Sequence, residues 1–279
     1  MQPSWAERQA RRLEDGFLPA RSPLRRLARP TTTAFAGGRA ILMELAHPAI
    51  AQAVADFDHF REDPARRALL TAKAFRDVIH GTEDEARAVQ RRLAAVHARV
   101  SGPRYSATDP QLLLWVHATF IDSLLCIGQR IHGALSPEEL SEFYGHAVSV
   151  GEVFGCPATT QPVDLAGFRA YVREMLDSLE VGDVGRDLAR AVFWPPVPSN
   201  RAPIISLYRI AVFGTLPAGL RRQFGYAWGR PQRRLFVGGS HLARLGAPVT
   251  DQLFFAVADG KGRGVSAALA LAGVRSSAR

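Results

Sequence analysis

The chain has 279 residues, 47% hydrophobic and 22% charged, which is long enough for one large domain with a sizeable core. Its two cysteines, Cys126 in an apolar run and Cys156 before Pro157, give neither a disulfide framework nor a metal-site spacing, which fits a reducing, cytoplasmic compartment. The net charge of +9 comes largely from arginines spread along the chain, with no nucleic-acid motif of interleaved aromatics, so nucleic acid is not the expected partner.

Residues 1–30 form a basic, arginine-rich extension, read as a loosely held helix and a proline-punctuated linker. They contain no continuous apolar stretch of the kind a signal peptide needs. Thr31, Thr32 and Thr33 offer caps for a helix through Arg39 to Ala46, and Gly37 and Gly38 allow close approach of a neighbour or a flat ligand. Proline removes a helical hydrogen bond, so His47-Pro48 is a kink or break. His47 then sits at an irregular point, either supporting a site or capping the freed carbonyls. Asp56 to Arg61 is a short connection, in which His59 either lines a pocket mouth or caps the next helix.

Asp63 to Gly102 reads as two helices joined by a tight turn. Asp63 caps the first, Pro64 suits its first turn, and Leu69, Leu70, Ala74, Val78 and Ile79 recur at helical spacing. Gly81 stops it. Thr82 with Glu85 is a capping box, and Ala86, Val89, Leu93, Val96 and Val100 carry an apolar stripe through the second helix, on which His97 sits. Arg67 and Thr71, four residues apart, share one face of the first helix.

Asp109-Pro110 opens the next helix, with a stripe of Leu113, Val116, Phe120 and Leu124 interrupted by His117 and Asp122. The apolar run Leu112 to Ile127 falls short of a bilayer span, so it reads as a buried helix and no transmembrane anchor is expected. Thr119, Asp122 and Ser123 lie near enough to place His117 in a polar network. Ser136-Pro137-Glu138-Glu139 starts a helix that ends near Gly155; further helices cover Asp164 to Leu179 and Asp183 to Phe193. The prolines at 195, 196 and 198 enforce an extended connector. Apolar density rises again from Pro203 to Phe213. The expectation is an all-α protein, one domain of roughly eight to ten helices over residues 31–236, with 237–279 a C-terminal extension of uncertain order.

Five stretches carry a resemblance: RAILMELAHPAIAQAV (Arg39 to Val54), the Asp63, Pro64, Arg67, Thr71 pattern, VHARVSG (Val96 to Gly102), YSATDPQLLLWVHATFIDSLL (Tyr105 to Leu125) and LPAGLRRQFGYAW (Leu216 to Trp228). In that order they resemble the MpaB and rubber-oxygenase (latex clearing protein) catalytic-domain family. The resemblance implies a globin-related, all-helical haem-oxygenase fold holding haem b, with oxygen and a hydrophobic small molecule as reactants. It implies His97 as the axial iron ligand and Arg67 and Thr71 on the distal side. His117, in the WVHAT stretch of the short bacterial members, is the fallback ligand. Rubber oxygenases carry a lysine directly before the distal threonine; here that residue is Leu70, which has no lone pair for iron. Arg67 has two compatible uses, donating to oxygen or pairing with a haem propionate. The alternative to an enzyme is a helical binding protein with a degenerate or absent haem site.

Overall fold

The structure, a computed structural model, describes residues 16–57 and 64–259, and for 57, 64–68 and 253–259 it describes the backbone alone. The cap assigned to Asp63, the connection holding His59, the first fifteen residues, the tail from 260 and the Arg67 side chain lie outside the described residues.

Twelve α-helices follow one another among the described residues: α1 Pro23–Leu27, α2 Pro30–Leu45, α3 Pro48–Phe57, α4 Pro64–Ile79, α5 Glu83–His97, α6 Pro110–His132, α7 Pro137–Val153, α8 Leu165–Ser178, α9 Asp183–Phe193, α10 Ala202–Thr215, α11 Ala218–Gln223 and α12 Arg230–Asp259. A two-residue hairpin, β1 Ser101–Gly102 with β2 Tyr105–Ser106, is the one sheet among them. The all-α expectation holds. The larger number of helices comes from short pieces such as α1 and α11, which carry too few turns to show a periodic stripe.

The core is built on α2 and α6, the most extensively packed pair. Trp115 of α6 is fully buried and its indole N–H donates to the Met43 carbonyl of α2 at 3.3 Å. α7 and α8 pack against α6, α9 lies across α3 and α2, and α10 and α12 cover the remaining side of α2. Gly185 makes the α9 contact possible, because a Cβ there would fall 2.2 Å from the Leu45 carbonyl oxygen. Most starts and breaks follow the local chemistry. Ser136 and Asp109 cap their helices with their side chains, and Pro48 opens α3 immediately after the break at His47.

Three local readings change. Thr31 to Thr33 are not caps: α2 begins at Pro30, and its N-cap Arg29 makes no side-chain capping bond. Instead Asp251, from the far end of the chain, accepts from the Thr31 N–H at 2.8 Å. Asp56 belongs to α3, not to a connection. Residues 237–259, set apart with the tail as an extension, continue α12 through Pro248, in a helix whose Ala247 and Asp251 are buried.

Asp251 therefore clasps α12 to the start of α2. Asp251→Ala removes the acceptor from a helix start with no cap of its own. The expected cost is roughly 1–2 kcal/mol, read as a lower urea midpoint. An unchanged midpoint would show that solvent takes over the Thr31 N–H.

Candidate functional site

Three residues separate α4 from α5, and the two helices pack together, so they run as an antiparallel hairpin. Its closed end is tightly held. The capping box of Thr82 and Glu85 is present in both directions, the Phe17 N–H donates to the Gly81 carbonyl, and the His80 ring lies 2.8 Å from the Ala28 carbonyl. Gly81 is required there, because any Cβ would fall 2.0 Å from the Asp77 carbonyl oxygen. Ala74, Val78, Ile79, Ala86 and Val89 are buried, and Phe75 stacks on Phe120 of α6 with ring centroids 3.4 Å apart.

The open end is different. The same two apolar stripes continue, but Leu70 is 57% exposed and Val96 50% exposed, so both lose the burial that their spacing predicts. Thr71 is exposed, and His97, the last residue of α5, is half-buried. The antiparallel pairing sets the amino-terminal half of α4, with Arg67 and Thr71, alongside the carboxy-terminal half of α5, with His97. Lys73 is turned to other work: with Arg76 it holds the Asp77 carboxylate.

His117 lies elsewhere, buried within α6, and not in a network with Thr119, Asp122 and Ser123 as its neighbours in sequence suggest. Its ring faces α7, where the Ala147 carbonyl is a partner and Gly151 leaves room, since a Cβ at 151 would sit 2.9 Å from Nε2. Gln161 fills the same space and donates to the Val148 and Cys156 carbonyls, each at 3.0 Å. Nδ1 is buried without a partner, and burial lowers the pKa to about 4, against the raising influence of Ala147. Between 6.5 and about 4 the unfolded chain takes up a proton that the folded ring refuses, so stability is full above that window and falls with pH through it. The melting temperature is expected to fall from pH 7 to pH 5, and His117→Gln to flatten that slope; an unchanged slope would place the dependence on other groups.

Thr119, Asp122 and Ser123 instead meet α2. Arg39, almost fully buried, pairs with Asp122 at 2.7 Å, donates to Ser123 Oγ at 2.9 Å and to the Thr215 carbonyl at 3.2 Å, while Thr119 donates to Glu44 at 3.3 Å. Sequence reading passed over this cluster. Its signal was two charged residues, Arg39 and Glu44, inside an otherwise apolar run. His47, at the break, has a buried Nδ1 without a partner, and burial lowers its pKa while Asp109 opposes the shift.

The family model described as "ER-bound oxygenase mpaB/B'/Rubber oxygenase, catalytic domain" matches residues 24–246, from α1 into α12. The chain belongs to this family. No curated protein and no solved structure matches it.

Membership in the MpaB and rubber-oxygenase family makes this an oxygenase-type domain and raises the question of what could hold a metal. Among the described residues no three His, Cys, Asp or Glu side chains converge on a common point. An ion bound by protein groups alone needs such a cluster, whereas iron in a porphyrin needs only one or two protein ligands. The open end of the hairpin suits the second arrangement: a half-buried imidazole beside exposed apolar side chains on both helices. His117 suits it less, because Gly151 and Gln161 close over Nε2 and Nδ1 is sealed inside the core.

Proposed function

We propose that the protein is a haem b-dependent oxidoreductase, an oxygenase acting on a hydrophobic small molecule, in which His97 would hold the haem iron. What supports this reading is the coincidence of family and surface: within an oxygenase-type domain, the apolar stripes of α4 and α5 are left uncovered at the one end of the hairpin that carries His97. Haem, when bound, supplies the redox chemistry of dioxygen. The chain supplies the rest. His97, at the last turn of α5, would ligate the iron through its imidazole. Arg67 contributes a permanently charged fork of donors and Thr71 a hydroxyl one turn further along α4; both orient oxygen or the reacting group. Leu70 offers no lone pair and adds apolar surface for the substrate. The two cysteines, Cys126 and Cys156, are free thiols, compatible with a cytoplasmic setting.

Reconstitution with haem b tests the reading: a Soret band that saturates at one haem per chain supports it, and a folded chain that stays colourless supports the helical binding protein. In the reconstituted protein, Arg67→Ala and Thr71→Val are expected to change turnover or cyanide affinity by about tenfold while haem content stays within roughly twofold. Loss of haem in Arg67→Ala would instead assign the guanidinium to a propionate.

A further inference from the structure

The outer face of α12 has no partner among the described residues, although it is apolar. Along this helix Gln232, Phe236, Ser240 and Ala243 are half-buried and Ala247 and Asp251 fully buried, at the three- and four-residue spacing of one inward face. Leu235, Leu242 and Val249, seven residues apart, and Leu245 between the last two fall on the opposite side. Their exposures are 51%, 71%, 70% and 78%. Leu235, Leu242 and Leu245 thus point away from the core, while Ser240, Ala243 and Ala247 turn inward. α10, packed along α12, adds exposed Ile204 and Leu207.

Charge selects the occupant. One flank of the stripe carries Arg230, Arg233, Arg234, His241 and Arg244, all exposed, and from 230 to 250 there is no acidic residue. From 230 to the end the chain has eight arginines and lysines against two aspartates, of which Asp251 is buried on Thr31. A second copy of the same helix would set these arginines near one another with no carboxylate to answer them. A surface of anionic lipid answers both features, taking the leucines into its acyl boundary and the arginines against its headgroups.

We propose that α12 is a peripheral membrane-docking helix, lying on an anionic lipid surface through Leu235, Leu242, Leu245 and Val249 with Arg230, Arg234 and Arg244 against the headgroups. This is independent of whether the hairpin binds haem, and it is read without haem. The full chain is expected to sediment with vesicles of phosphatidylcholine and phosphatidylglycerol and not with phosphatidylcholine alone, and to be released by salt of about 0.5 M. Leu242→Glu with Leu245→Glu, both at exposed positions that keep the fold, should lower partitioning by about tenfold or more. Arg230→Gln, Arg234→Gln and Arg244→Gln together should do the same with the stripe intact. Equal sedimentation of either variant and the parent overturns the proposal. So does a dimer, seen by light scattering without vesicle binding, that the leucine substitutions dissociate; the face would then belong to a second copy.

Discussion

His97→Ala is expected to lower haem incorporation by about tenfold or more, while His117→Ala leaves it within roughly twofold of the parent. The two histidines occupy opposite kinds of place. His97 ends a helix at a half-buried position, on a hairpin whose Leu70 and Val96 are exposed. Iron at His117 would have to displace Gln161 or enter the closed contact between α6 and α7. The comparison is made by Soret absorbance per chain after reconstitution, with helicity confirmed for each variant. Because His117→Ala leaves a cavity against Gly151, its melting temperature is expected to fall even where its haem content does not. If His117→Ala loses haem and His97→Ala keeps it, the ligand lies in α6 and the role given to the hairpin is wrong.

The hairpin was legible because its signals are local. Pro64, Gly81 and the Thr82–Glu85 box act within one turn of where they stand, and they set the limits of α4 and α5 whatever else the chain does. Periodicity was a poorer guide to burial. Leu69 to Ile79 and Ala86 to Val96 repeat evenly along the two helices and Val100 lies past the end of α5, yet burial falls away toward the open end, where Leu70 and Val96 are exposed, and nothing in a 3.6-residue repeat records where the neighbours stop. The same limit explains Thr31 to Thr33, plausible caps by type, which lost that role to Asp251, an acceptor 220 residues away. Likewise His117 and Asp122, five residues apart on α6, look like one network in sequence. They project to different neighbours, α7 for the histidine and α2 for the aspartate, because five residues is more than one helical turn.

Arg39→Ala is expected to destabilise the chain by about 3 kcal/mol. The guanidinium makes three contacts: the Asp122 carboxylate at 2.7 Å, Ser123 Oγ at 2.9 Å and the Thr215 carbonyl at 3.2 Å. Ser123 keeps its own donation to the Thr119 carbonyl at 2.6 Å, so its loss is partial. Asp122 and the Thr215 carbonyl lose their charged donor, and the partial exposure of Asp122, 23% for its side chain, holds the figure at the lower end for a broken buried pair. Lysine is not a substitute, because one ammonium on a flexible stem cannot reach α6 and the end of α10 with the same fork of donors. The decisive comparison is a pair of variants unfolded in urea. Arg39→Met alone leaves an unanswered carboxylate and should stay close to Arg39→Ala. Arg39→Met with Asp122→Leu removes both charges and should recover most of the loss, as replacement of a buried ion pair by apolar residues of similar volume does. A double variant as unstable as Arg39→Met would show that the guanidinium stabilises the pair through Ser123 and Thr215, with Asp122 contributing little.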